Sequence, residues 1–415
     1  MFANVSRSRL LPMSLPFRFF GAAAAFQLGA WGLLLVFSTE LISFEAGLGP
    51  IFAALHLATL GVLAMAAIGA TLQLLPVATR QPVRALRAAK LLWWLLVPGI
   101  ALFATGAALY RPQLMGPGAV AAAFALAIYA VLLARNLVGA RGMRVVVAHG
   151  WGALACLAAL AGTGIALVAR YEHGLALDHA AFRAAHVVLA TYGFMGLLSI
   201  GLSNFLLPML AVAAPPPPRV SFAVLGGAGT AIVIACFGLT GIAALVGLAA
   251  AVAHVVSMER SLRASLRPLG AAFVLIRASW ACLLASLALA ALGFPGGTLL
   301  FGLLLVPGWL LTFLLGVMQR IVPFLASVHA SQGARGTPLI SAMTPPRLLA
   351  AHRLLHLAAL ALLLGGVVLK RMILIEAGAA AGFAAAALFA AFFAFVLVKV
   401  RTHGEPYPPS QPAPA

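Results

Sequence analysis

The sequence predicts an all-α polytopic membrane protein of about twelve transmembrane helices, arranged as a pseudo-threefold bundle of three four-helix units. Three observations predict it: an apolar composition, apolar runs of membrane-spanning length, and a motif that returns at every fourth run. Hydrophobic residues make up 64% of the 415 residues and charged residues 8%, with a mean hydropathy of +1.11. A soluble domain carries roughly a quarter charged residues, so the composition excludes a soluble protein.

The first element of the prediction is the number of spans. A transmembrane helix needs about 20 predominantly apolar residues. Between Val220 and Met258, one tilted helix would give eleven spans, whereas a turn at Gly238 and Gly241 gives twelve. The twelve predicted spans are 19–44, 50–77, 88–110, 117–138, 146–169, 182–213, 220–237, 240–258, 270–292, 298–326, 347–369 and 373–399.

The basic residues decide the topology. With twelve spans, twenty of the 26 lysines and arginines fall on one side and Arg277 lies within a span. The other side holds only Arg111, Arg170, Arg183, Lys370 and Arg371. The positive-inside rule then places both termini in the cytoplasm. Because the net charge of +19 comes from these short gaps between apolar runs, it predicts topology and a lipid bilayer as partner, with no nucleic acid.

The predicted organisation is one transmembrane domain over residues 1–400, with repeat units at about 17–140, 145–260 and 268–400. The proline-rich segment 401–415 is predicted to be a disordered cytoplasmic tail. An Ala- and Arg-rich, lysine-poor composition favours the inner membrane of a bacterium.

The units are predicted from a threefold motif with the spacing G-x7-G-x6-P. Its copies lie in spans two, six and ten and read Gly61–Gly69–Pro76, Gly193–Gly201–Pro208 and Gly308–Gly316–Pro323. Glycines on one helix face allow close approach of another helix or of a flat ligand. Gly61, Gly193 and Gly308 are therefore candidate cofactor-binding residues, with helix packing as the alternative. The proline is placed to close each helix at its cytoplasmic end.

Histidines at the predicted outer ends of two motif helices are the main candidate metal ligands. His56 begins the second span and His186 the sixth. His179 shares a predicted helix face with His186 if Asp178 is the N-cap. Imidazole nitrogen is a common ligand of haem iron and copper, although these residues also suit interfacial histidines that hydrogen-bond near lipid headgroups. Different distances to the motif glycine predict that His56 and His186 serve different clefts.

A second histidine pair lies at the cytoplasmic side. His352 and His356 are four residues apart on the eleventh span and share a face. They are weaker metal candidates, because two ligands of this spacing also suit solvated or headgroup-facing imidazoles. His254 is interpreted as incidental.

Charged groups within the spans bear on other functions. Arg277 is predicted to snorkel to the membrane surface or, if buried, to pair with an anion such as a haem propionate. Glu40, Glu45 and Glu376 lie near outer helix ends, so no mid-membrane carboxylate is predicted. Its absence argues against a proton-coupled transporter or pump.

Three stretches carry a family resemblance: HLATLGVLAMAAIGATLQLLPV, AHVVLATYGFMGLLSIGLSNFLLPM and GWLLTFLLGVMQRIVPFL. They resemble divergent relatives of the haem–copper oxidase subunit I superfamily, with NnrS-type proteins as a near alternative. The resemblance implies haem and/or copper as cofactor, His56 as the low-spin haem ligand and His186 near the copper-ligand position. It does not imply a complete binuclear centre, because the seventh span lacks a histidine pair and the tenth predicted span lacks histidine.

The leading functional hypothesis is a divergent oxidase-like protein in electron transfer, metal or haem handling, or response to O2 or NO. A periplasmic electron-transfer protein or other membrane subunits would be its partners. The alternatives are a metal-free transporter of a small solute and a scaffold subunit of a membrane complex. Whether the protein is an enzyme is not decided by the sequence.

Overall fold

A computed structural model describes residues 11–82, 85–293, 297–330 and 338–404. Within these residues the chain forms helices, turns and loops without strands, and twelve helices are long and apolar enough to cross a membrane. They are α1 (Ser14–Val36), α2 (Pro50–Thr79), α3 (Leu86–Ala108), α4 (Pro112–Val138), α5 (Arg144–His173), α6 (His179–Ala211), α7 (Pro218–Cys236), α8 (Thr240–Arg263), α9 (Phe273–Leu292), α10 (Thr298–Ala330), α11 (Pro346–Leu369) and α12 (Met372–Gly404). The prediction of an all-α polytopic membrane protein is confirmed.

The turn that separates α7 from α8 lies where the glycines predict it. Gly238 adopts a φ of +82°, a left-handed conformation that costs glycine little and other residues more. The count of twelve is therefore confirmed over eleven. An even number of spans places the first and last helices' free ends on one side, which the positive-inside rule predicts is cytoplasmic.

The first and last helices both differ from their predicted bounds, and the first differs most. The first helix spans Ser14–Val36 instead of 19–44, because a short 3-10 turn at Ser38–Glu40 interrupts the apolar run with polar side chains. At the other end, residues 401–404 continue α12 instead of starting a tail. The rest of the predicted tail, residues 405–415, lies outside the described residues.

The twelve helices form a closed ring of three units, which we call unit 1 (α1–α4), unit 2 (α5–α8) and unit 3 (α9–α12). In every unit the first helix packs on the second, and the third and fourth form an antiparallel hairpin. The units join in the same way, α4 on α5, α8 on α9 and α12 on α1. At the centre, α10 contacts both α2 and α6, so the three motif helices surround a pseudo-threefold axis.

The repeat is also present in the backbone of the three motif helices. Each contains an eight-residue π-helical segment, at Leu57–Ala64, Leu189–Gly196 and Leu304–Leu311. Every segment begins four residues before the first motif glycine and ends three residues after it. π-turns are rare and occur often at functional sites, so three at one register strengthen the evidence for a repeat. They were not predicted from the sequence.

The motif glycines allow the first and second helices of each unit to touch. A Cβ on the first glycine would clash with a side chain of the preceding helix, at 3.0 Å or less. These contacts are Gly61 with Phe26 at 2.7 Å, Gly193 with Cys156 at 2.8 Å and Gly308 with Cys282 at 3.0 Å. The second glycines contact residues seven positions earlier on those helices, Phe19, His149 and Leu275. Helix packing therefore fills the space in which a flat ligand would have to contact these glycines.

The motif prolines do not close their helices. After Pro76 and Pro208 the helix continues to Thr79 and Ala211 before a left-handed residue ends it. After Pro323 it continues to Ala330. The prediction of a helix end at proline is wrong because proline removes only one backbone hydrogen bond, a loss that surrounding helices in a membrane bundle compensate.

Gly193→Ala tests the packing role of the motif. We expect the variant to lose about 1–3 kcal/mol of stability by overpacking against Cys156, seen as a lower melting temperature in detergent. Gly229→Ala is the matched control, because a Cβ there meets nothing within 4 Å and alanine favours a helix. Equal behaviour of the two variants would contradict the packing role.

Candidate functional site

His56 lies on α2 directly before its π segment, at the predicted outer end. Its Nδ1 is 3.0 Å from the Phe52 carbonyl oxygen and donates to it. The ring lies 4.1 Å from the Phe52 ring and 5.1 Å from the Phe103 ring. Because Nδ1 keeps its proton to donate to the carbonyl, Nε2 of the neutral imidazole carries a lone pair. His56 thus has the tautomer that a metal ligand needs.

His186 reaches the same protonation state by a different contact. Its Nδ1 lies 3.3 Å from the Thr163 hydroxyl on α5. With that hydroxyl donating to the Leu160 carbonyl at 3.0 Å, the imidazole donates to Thr163 and Nε2 is again unprotonated. Gly164 makes room for the ring, since a Cβ there would be 3.2 Å from its Cε1.

The two outer histidines have separate contacts. His56 contacts helices of unit 1, and His186 contacts α5 of unit 2. His179 faces the Tyr171 ring at 6.1 Å instead. Within the described residues no group of three or more His, Cys, Asp or Glu side chains could hold a metal ion.

The polar residues next to His186 have structural roles. Asp178 is the N-cap of α6, as predicted, and its Oδ1 accepts from the Ala181 N–H at 3.1 Å. Arg183 donates to the Glu45 carbonyl at 3.4 Å, which connects unit 2 with the loop after α1. These contacts fix the outer end of α6 against unit 1.

The second histidine pair, on α11, is buried and does not face headgroups. His352 is 0% exposed and His356 1% exposed. Arg353 donates to Oε1 of Gln319 at 3.1 Å, so the Gln319 amide nitrogen donates to Nδ1 of His352 at 2.8 Å. His352 therefore carries its proton on Nε2, which has no partner. The prediction of a headgroup-facing pair is wrong because α10 covers both rings.

His356 leaves a hydrogen-bond acceptor without a partner, whereas His352 leaves a donor. Thr312 donates to the Pro307 carbonyl at 2.7 Å, so His356 Nε2 donates to the Thr312 hydroxyl at 2.7 Å. Its Nδ1 is then a buried acceptor without a partner. The two rings are nearly parallel with centroids 6.0 Å apart. One free donor and one free acceptor suit a buried water better than a metal, which needs a lone pair from both rings.

Sequence reasoning missed two further buried histidines in unit 2. His149 is 0% exposed; its Nδ1 donates to the Val145 carbonyl at 2.9 Å and its Nε2 has no partner. His254 is 4% exposed and lies 3.5 Å from the Ser203 hydroxyl, beside a water-sized cavity of about 10 Å³. Both lie near predicted helix ends. The sequence offers a signal for His149 alone. It lies seven residues before Cys156, as Phe19 lies seven before Phe26, and this interval places it against the second motif glycine of its unit.

Arg277 has an anionic partner within the protein. It makes a two-pronged ion pair with Glu259 of α8, at 2.7 and 3.1 Å, and 48% of its side chain is exposed. Arg263 approaches the same carboxylate at 3.9 Å. The pair joins units 2 and 3, so Arg277 gives no evidence for a haem propionate.

A scan against protein-family models gives no match to this chain, and a search of the curated proteins finds no significant match.

Two buried glutamines on motif helices provide a test of these contacts. Gln319→Leu should cost about 1–3 kcal/mol, because it leaves His352 and Arg353 without their partner. Gln73→Leu should be neutral or stabilising, because Gln73 is 0% exposed and neither of its amide atoms has a partner. Thermal unfolding in detergent measures both changes. A loss of stability in Gln73→Leu as large as in Gln319→Leu would contradict the assigned hydrogen bonds.

Proposed function

We propose that this protein is a divergent, oxidase-like membrane protein that binds a redox-active metal, as copper or as haem iron, through His56 and His186. It would act in electron transfer, in metal or haem handling, or in the response to a diatomic gas. The observation that carries the proposal is the shared state of the two imidazoles. Each uses Nδ1 as a hydrogen-bond donor and keeps Nε2 unprotonated.

That state matches what metal-ligating histidines need. A ligand imidazole usually donates its other N–H to a carbonyl, carboxylate or water, which fixes the tautomer and the ring orientation. Phe52 and Thr163 supply this contact here. Bound at the two Nε2 atoms, the metal would supply one-electron chemistry, while the protein holds and orients its ligands.

Copper fits these residues more readily than haem. A copper ion needs only a few nitrogen ligands, whereas haem also needs a flat slot. The motif glycines that suggested such a slot are filled by Phe26, Cys156 and Cys282. Two protein ligands do not make a binuclear oxidase centre, so the proposal does not include reduction of oxygen to water.

The proposed setting is the inner membrane of a bacterium, with the arginine-rich end in the cytoplasm. His56 and His186 then lie at the periplasmic end, where a soluble electron-transfer protein could exchange electrons with the metal. The multi-pass membrane character is supported by the twelve apolar helices.

A metal-free transporter of a small solute is the second candidate. It is favoured by one observation, a cavity of about 210 Å³ between α2 and α4 with both polar and apolar walls. This function would not depend on His56.

Metal content and optical spectra test the leading proposal. Protein purified from cells supplied with copper and haem should carry about one metal per chain. His56→Ala and His186→Ala should each lower the metal content at least tenfold, since each variant removes one of the two proposed imidazole ligands. A Soret band that shifts on reduction would identify haem, and copper without a Soret band would identify copper.

His173→Ala is the matched control, because this histidine lies at the same end of the bundle and is exposed. It should keep the full metal content. Protein that carries neither metal, or that loses metal equally in all three variants, would overturn the proposal and favour the transporter.

A further inference from the structure

The cavity in unit 1 lies at the arginine-rich end of the bundle. Its polar lining comes from Thr71 on α2, from Gln81 in the connection to α3, and from Tyr129, Arg135 and Asn136 on α4. Leucine side chains of α2 and α4 form most of the remaining wall. Its walls therefore suit a molecule with one polar and one apolar part.

The cavity marks a place where the threefold repeat is broken. Four residues before the motif proline, unit 2 has Asn204, whose Oδ1 accepts from Ser221 on α7 at 2.7 Å. Unit 3 has Gln319 at this position, hydrogen-bonded to His352 on α11. Unit 1 has Leu72, which lines the cavity. Two copies thus fill this position with a polar contact between helices, and one copy leaves a space.

The groups free to bind a ligand are hydrogen-bond donors. Asn136 uses its Oδ1 to accept from Thr79 and one N–H to donate to the Gln81 carbonyl, which leaves a second N–H. Arg135 is exposed at the rim and has no ion-pair partner within the described part of the chain. No aspartate or glutamate is in the lining. A negatively charged or acceptor-rich group fits this end of the cavity.

The Tyr129 hydroxyl is not one of these free donors. Thr71 donates its own proton to the Ala67 carbonyl at 2.8 Å, so Tyr129 donates to the Thr71 hydroxyl at 3.0 Å. This contact closes the inner end of the cavity, and the charged end is at Arg135.

Size and position narrow the class of ligand. An apolar cavity of about 150 Å³ holds a benzene ring, so about 210 Å³ has room for a glycerol backbone or the first carbons of an acyl chain. The predicted cytoplasmic leaflet contains anionic lipids that basic residues attract. An anionic lipid would reach the site from the bilayer, with its charge at Arg135.

We propose that this cavity is a binding site for an anionic phospholipid of the cytoplasmic leaflet. Arg135, Gln81 and Asn136 bind the phosphate, and the leucine walls of α2 and α4 receive the glycerol and the start of one acyl chain. The proposal is independent of metal binding at His56 and His186, which lie at the other end of the bundle.

Native mass spectrometry of the full chain in detergent, titrated with dioleoylphosphatidylglycerol, tests it. One lipid should remain bound at low lipid ratios, and Arg135→Gln should weaken its retention about tenfold, as expected for a lost charged hydrogen bond. Arg141→Gln is the matched control, an exposed arginine at the same end that does not line the cavity, and it should change retention less than twofold.

Two further variants locate the lipid. Leu72→Phe fills the cavity and should abolish retention, whereas Val131→Phe on the exposed face of α4 should not. Equal losses in Arg135→Gln and Arg141→Gln, or full retention in a folded Leu72→Phe protein, would overturn the proposal. If the protein retains oleate instead of phosphatidylglycerol, and Arg135→Gln weakens that retention equally, the phospholipid proposal is wrong. The ligand would then be an amphiphile with a carboxylate group. Exposed Arg135 can be replaced without disturbing the core, so its variant decides the question if Leu72→Phe does not fold.

Discussion

The close contact between the first and second helix of each unit determines most of this structure. It depends on two glycines eight residues apart, each facing a side chain of the neighbouring helix. Membrane helices gain little from the hydrophobic effect among themselves, so close backbone approach and dispersion supply much of their association energy. Because the contact occurs three times at one register, it brings α2, α6 and α10 to a common axis. The third and fourth helices of each unit then cover this centre.

The centre built in this way is unusual for its polar content. Four histidines of the arginine-rich half are buried, two in unit 2 and two in unit 3. Unit 1 instead buries a tyrosine–threonine contact and the cavity beside it. The same scaffold therefore holds three different polar interiors. Symmetric packing and asymmetric chemistry are separable here, because the glycines that set the packing are not the residues that make the polar contacts.

The sequence was sufficient for the features that depend on local pattern. Span number, the turn at Gly238, the cap at Asp178 and the threefold motif follow from apolar length, glycine conformation and spacing. It was insufficient where distant segments meet. The pairing of Arg277 with Glu259 and the burial of His149 depend on which helices become neighbours. The π segments also make a helical wheel inaccurate for the three motif helices, because a wheel assumes a constant angle per residue. The metal-ligand role of His56 and His186 is still a prediction.

The contact between α12 and α1, which closes the ring, differs in one respect from the other two contacts between units. Units 1 and 2, and units 2 and 3, are joined by a short connecting segment as well as by packing. Within the described residues unit 3 meets unit 1 through packing contacts, among them Phe17 against Phe393 with ring centroids 5.8 Å apart and Trp31 against Gly382. No covalent link opposes separation of these two helices. Opening the ring in the plane of the bilayer between these two helices is therefore opposed by non-covalent packing alone, along the α12–α1 edge and between α10 and unit 1 at the centre.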